Sequence, residues 1–138
     1  MKLWKRLYGT VWLAFFSCVI IPRWTGAGVG MPLHLLLGLA ILAAAVGNAR
    51  SLKPLPVPER LKRISGVTMG FAVFQLLLGL AFGAVMSLKP DLNSVAQALR
   101  IAHVVCALAI LAQSASVATA YDMWEEKEFL TPSSGREP

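Results

Sequence analysis

Four stretches of this chain contain no Asp, Glu, Lys or Arg, and each is close to the length of a membrane crossing. They run from Leu7 to Pro22, Trp24 to Asn48, Ile64 to Leu88 and Ile101 to Tyr121. A transmembrane helix needs about 20 mostly apolar residues to cross roughly 30 Å of hydrocarbon. The first run is short, and Trp4 and Tyr8 extend it. A soluble helical bundle would need a polar face on every helix, and these runs supply none. With 57% hydrophobic and 14% charged residues, the chain is also far from the balance of a soluble domain. The expected fold is all-α, an integral membrane four-helix bundle with helices at about 5–22, 31–49, 64–87 and 95–122. Residues 1–130 would form one domain, with 131–138 a disordered tail.

Orientation follows from the lysines and arginines between the runs. Lys2, Lys5 and Arg6 precede the first, Arg50, Lys53, Arg60, Lys62 and Arg63 lie between the second and third, and Lys127 and Arg136 follow the fourth. Those ten of the 13 basic residues fall on one side, against Arg23, Lys89 and Arg100 on the other. The ten should face the cytoplasm, which places both termini inside and the chain in the cytoplasmic (inner) membrane of the cell. The net charge of +6 is then a topology signal. No aromatic-interleaved basic patch is present, so a nucleic-acid partner is not expected.

MKLWKR could begin a signal peptide, with Thr25-Gly26-Ala27 as a weak cleavage site. Trp4, Tyr8, Trp12 and Trp24 fit an interfacial aromatic belt instead, so the first helix is expected to stay. Pro22 should close it, and Pro32 sits where an N1 proline would open the second. Lys53-Pro54-Leu55-Pro56-Val57-Pro58 cannot be helical and should form a stiff cytoplasmic link. Ser87-Leu88-Lys89-Pro90-Asp91 should turn the chain outside, with Ser94 capping the fourth helix. Glu125, Glu126 and Glu128 could meet the basic second loop.

The chain repeats itself. Leu39-Ala40-Ile41-Leu42-Ala43 follows His34 at the same offset at which Leu108-Ala109-Ile110-Leu111-Ala112 follows His103. The second and fourth helices run in the same direction, so the repeat implies two helix pairs about a pseudo-twofold axis along the membrane normal.

The two histidines are the only ones in the chain, and an ionisable residue inside a span is a functional candidate. His34 lies about 24 Å along a helix from Arg50, and His103 about 28 Å from Asp122. Both therefore sit in the outer half at similar depth. A lone membrane histidine commonly bonds a neighbouring helix, worth about 0.6 kcal/mol. A pair matched in depth within a repeat points to the two axial ligands of one haem iron. Gly38 and Ala107, one turn inward from the histidines, leave room for a flat macrocycle, and Arg100 could pair with a propionate. Zinc or copper suits two histidines poorly without carboxylates or thiolates nearby.

Residues 28–121 resemble one four-helix half of the haem A synthase (CtaA-like) family. The shared features are the two histidines and the third-helix pattern with Gln75, Gly79 and Gly83 in FQLLLGLAFG. The resemblance implies that His34 and His103 hold haem between the second and fourth helices. The family also carries an acidic residue just upstream of its first histidine and a cysteine pair in an outer loop. Here Gly30, Met31 and Leu33 occupy the first position, and the cysteine pair is missing. The haem site is thus implied, and the synthase reaction is not.

The function expected is that of a haem b-binding subunit transferring electrons at the outer side of the membrane, within a larger respiratory or photosynthetic complex. A half-length haem-modifying enzyme acting as a homodimer, and a haem-free accessory subunit, are the alternatives. Partners would be the lipid bilayer, other membrane subunits or a second copy, and quinol or an outer redox protein. Gln75 and Gln113 should bond across helices, with a quinone headgroup as a further candidate ligand. Cys18 and Cys106 should be buried thiols, and Gly66-x-x-x-Gly70 and Gly79-x-x-x-Gly83 permit close helix approach.

Overall fold

In a computed structural model, which describes residues 2–20, 30–88 and 93–130, every regular element is helical. Helix α1 spans Leu3–Phe15 and continues as a π-helical turn over Phe16–Ile20; α2 spans Gly30–Leu52, α3 Glu59–Leu88 and α4 Asn93–Leu130. Three helices are long and apolar enough to cross a membrane, in the spans Pro32–Leu52, Glu59–Leu88 and Ser94–Lys127. The first helix does not reach that length within the described residues. Pro22, Arg23, Trp24, the turn expected at Lys89-Pro90-Asp91 and the tail expected over 131–138 lie outside them.

Three helices overrun their expected bounds, α2 by running to Leu52 rather than 49. Helix α3 starts at Glu59 rather than 64, and α4 runs to Leu130 rather than 122. Apolar runs mark the thickness of hydrocarbon, whereas helical hydrogen bonding continues through charged turns. At the start of α3, Glu59 favours the helix dipole and accepts from Lys62 Nζ at 2.8 Å. The Pro58 carbonyl accepts from the Leu61 amide at 2.9 Å. Ser94 lies inside α4, which begins one residue earlier, so it is not the cap. Among the described residues Glu125 and Glu126 form no ion pair with the basic loop.

The helices pack in a ring, α1 against α2, α2 against α3, α3 against α4 and α4 against α1. Pairs α1–α3 and α2–α4 lie across the diagonals. Each helix turns one stripe inward at alternating steps of three and four residues, the spacing that keeps a seam facing its neighbours. The stripes include Leu7, Thr10, Ala14 and Ser17 on α1 and Ile41, Ala45, Asn48 and Leu52 on α2. On α3 they include Leu61, Ser65, Thr68 and Ala72, and on α4 Cys106, Ile110, Val117 and Tyr121.

Polarity is reversed relative to a soluble bundle. Asn48 is 5% exposed, while Leu36 is 63% and Val105 60% exposed. In water such a surface would be an aggregation hazard; in a bilayer it meets hydrocarbon of equal polarity.

Several of the inward polar groups are partnered. Arg6 on α1 donates from Nη2 to the Gly47 carbonyl at 2.8 Å and to Ser51 Oγ at 2.6 Å. Its Nε reaches Asn48 Oδ1 at 3.2 Å, and Asn48 Nδ2 donates to Thr10 Oγ1 at 2.8 Å. Thr68 Oγ1 lies 3.0 Å from the side-chain amide of Gln113, so Gln113 bonds across helices as expected. Cys18 and Cys106 are both free thiols.

At the end bearing Arg6 and the proline-rich link, Leu52, Val57 and Leu61 fold beneath Val117, Ala118 and Tyr121, with Trp4, Tyr8 and Trp124 around them. The link, non-helical as expected, thus inserts Val57 as an apolar plug. The glycine motifs behave differently from expectation. A methyl group on Gly66, Gly70 or Gly83 would meet no atom within 4 Å, so they bring no helices together within the chain. Gly79 alone of these faces a neighbouring side chain, His103.

Because Leu52 is fully buried in the plug, Leu52→Ala should cost about 2–5 kcal/mol and lower the unfolding temperature in detergent. Leu36→Ala, on the lipid-facing side, should leave it nearly unchanged. Equal losses for the two would show that the inward stripe is misassigned.

Candidate functional site

His34 lies on the second turn of α2, in register with the inward stripe that continues through Gly38, Ile41, Ala45 and Asn48. His103 lies on α4 in register with Ala96, Leu99, Cys106 and Ile110. Each imidazole therefore points at the bundle interior for the same reason that the apolar side chains below it do. The two rings meet across the α2–α4 diagonal, with centroids 5.9 Å apart and planes inclined at 55°.

Helix α3 closes one side of the pair. A Cβ on Gly79 would stand 3.1 Å from His103 Cε1 and 3.6 Å from Nδ1. Glycine at this position is what lets the imidazole lie against the α3 backbone. Steric room, and no unusual backbone angle, is the requirement here.

His103 Nδ1 is buried without a hydrogen-bond partner, as is Gln75 Oε1, which sits one turn inward from Gly79 on α3. Gln75 thus departs from the expectation that it bonds across helices. Buried polar atoms are nearly always satisfied, so two orphans beside the histidines mark a place where something polar or coordinating belongs. Gly38 and Ala107 are half-buried one turn inward, and a methyl on Gly38 would meet nothing within 4 Å. Arg100 is exposed one turn outward from His103.

The donor set limits what could sit there. A metal held in line between two imidazoles puts their centroids about 6.3 Å apart, given metal–nitrogen bonds of about 2 Å. The observed 5.9 Å is close to that. Among the described residues no group of three or more His, Cys, Asp or Glu side chains converges. A bare ion would thus find two histidines and too few further donors to complete its coordination. An iron that brings four equatorial nitrogens of its own needs two axial ligands and nothing more, so the residues present fit haem.

Sequence reasoning did not single out Arg6, Asn48 and Thr10, which organise the opposite end of the bundle. The signal that could have found them is their spacing, since each polar residue falls on the inward stripe of its helix. No protein-family model matches the chain, and no characterised protein or solved structure is significantly similar to it.

The diagonal geometry can be tested without any ligand. In a Cys18→Ser, Cys106→Ala background, His34→Cys with His103→Cys should be bridged by a short bis-methanethiosulfonate. Direct oxidation should not link them, because no α2 and α4 backbones come within 8 Å and a disulfide needs Cα atoms within about 7 Å. Leu36→Cys with Val105→Cys, both outward-facing, should not be bridged. Bridging of that outward pair, and not of the histidine pair, would refute the packing.

Proposed function

We propose that this chain is a haem b-binding membrane protein that transfers electrons, with His34 and His103 as the two axial ligands. The single observation that carries this reading is the pairing of the only two histidines in the sequence across a bundle diagonal at 5.9 Å. Adjacent helices offer many routes to accidental contact. Two residues on helices whose Cα atoms stay more than 8 Å apart meet only if both are aimed at the bundle axis.

Haem held this way supplies one-electron redox chemistry. The surrounding residues define which chemistry that is. Held by two histidines, the group would supply one-electron transfer rather than activation of oxygen or substrate. His103 is steadied by the α3 backbone at Gly79, so its ring cannot retreat to that side. Arg100, one turn outward on α4, is the cation to pair with a propionate. Among the described residues no carboxylate joins the pair, and none precedes Glu59 in the sequence, which speaks against the haem-modifying alternative.

The remaining features of the proposal concern the membrane. Helix α1 with its π-helical turn would make the fourth crossing. The repeat of Leu-Ala-Ile-Leu-Ala after each histidine, together with the diagonal pairing of α2 and α4, supports a pseudo-twofold axis through the haem. The excess of Lys and Arg at the plug end supports cytoplasmic termini in the inner membrane. The histidines would then stand in the outer half, so electrons would be exchanged there with quinol or a redox protein, within an assembly of membrane subunits or a second copy. The unpartnered Gln75 Oε1 is suited to accept from a quinol hydroxyl.

The purified chain should give a reduced-minus-oxidised optical spectrum of low-spin haem b. His34→Ala and His103→Ala should each lose the haem or its low-spin bands, and to a similar degree. Gly79→Ala should perturb those bands, while Gly83→Ala should not. A histidine replaced without spectral change would remove it from the ligand set. For orientation, a reporter fused after Pro138 should be active only if it works in the cytoplasm; activity of a periplasm-dependent reporter would invert the topology.

A further inference from the structure

On the plug side of the histidines, beyond an apolar layer that includes Ala14, Ile41, Ala72 and Ile110, the bundle interior turns polar again. Thr10 of α1, Asn48 of α2, Ser65 and Thr68 of α3 and Ser114 of α4 line one cavity. All five are buried. The cavity measures about 10 Å³ of space for the centre of a water molecule, close to what one water requires.

Four of the five side chains come with capacity to spare. Thr10 Oγ1 donates to the Arg6 carbonyl at 2.9 Å and accepts from Asn48 Nδ2, which leaves it a second lone pair. Asn48 keeps a second amide hydrogen. Thr68 donates to the Ile64 carbonyl at 2.9 Å and retains accepting capacity. Ser65 stands on the wall with a hydroxyl of its own.

Ser114 is the exception that decides the matter. Its hydroxyl is buried, the residue being 5% exposed, and it has no hydrogen-bond partner at all. It does not take the common route of a helical serine, donating to the carbonyl one turn back, as Ser116 does to Ala112 at 2.8 Å. A hydroxyl left unpaired in an apolar membrane interior is costly, and here it lines a water-sized space shared with four other polar side chains.

We propose that this cavity is a binding site for one ordered water molecule, held by Ser114 and by polar groups from the other three helices. The water completes a polar layer that starts at the Arg6 guanidinium, passes through Asn48 and Thr10, and closes on α3 and α4. It satisfies Ser114 and ties all four helices together at one level. Its position does not depend on haem, because the histidine pair lies on the far side of the apolar layer.

The sign of a stability change separates a wet site from a dry one. If the cavity is dry, Ser114→Ala deletes an unpaired hydroxyl and Ser114→Val fills empty space, so both should hold or raise the unfolding temperature. If water is bound, Ser114→Ala removes one of its partners and Ser114→Val displaces it, so both should lower the unfolding temperature by several degrees, valine by more. Water-edited solid-state NMR of the wild-type chain in lipid gives an independent reading. A long-lived water should transfer magnetisation to Ser65 and Ser114, and the Ser65 transfer should vanish in Ser114→Val. No transfer in the wild type, or variants that melt at or above the wild-type temperature, would overturn the proposal.

Discussion

Apolar side chains give membrane helices no reason to leave lipid for one another, because hydrocarbon solvates them equally well. Whatever holds this bundle together must therefore come from close packing and from polar groups that lipid cannot satisfy. The inward stripe supplies both. Small residues such as Ala14, Ala45, Ala72 and Ala118 let helices approach, and Thr10, Asn48, Ser65, Thr68 and Ser114 need partners that only the interior offers. Arg6 is the strongest member of this set. Its guanidinium reaches a backbone carbonyl and two side chains of α2, and breaking those bonds would leave a cation at the membrane boundary with no substitute.

The histidine pair depends on this arrangement. A bundle fixed at one end by a polar layer and an apolar plug presents its other end in a defined register. That register brings His34 and His103 to the same level on opposite helices, and Gly79 to the flank of one ring. A shift of either helix by one residue would swing its histidine by about 100° and break the pair. The division of labour is along the bundle axis: one end secures the helices, the other brings the two histidines together.

Much of this was legible in the residues. Uncharged runs located the helices, the proline-rich link was non-helical as its composition required, and the two histidines were singled out by their depth and by the repeats around them. The rest was hidden for specific reasons. Hydropathy averages over all sides of a helix, so it registers α3 as apolar without revealing that Ser65 and Thr68 point inward. The extension of α3 to Glu59 and of α4 to Leu130 is not visible in the charge pattern, because charge marks only the end of the hydrocarbon and not the end of the helix. Arg6 counted towards orientation alone, since its partners Gly47, Asn48 and Ser51 lie some 40 residues away. The GxxxG spacings pointed to close approach, but spacing does not say which side of a helix faces a neighbour, and only Gly79 meets one.

The electron paramagnetic resonance spectrum of the oxidised, purified protein is the most direct measurement of the central claim. Two axial imidazoles predict a low-spin ferric signal from stoichiometric haem, with no high-spin component. A chain that purifies without haem, or a high-spin signal showing an open axial position, would contradict the assignment of His34 and His103 as its ligands.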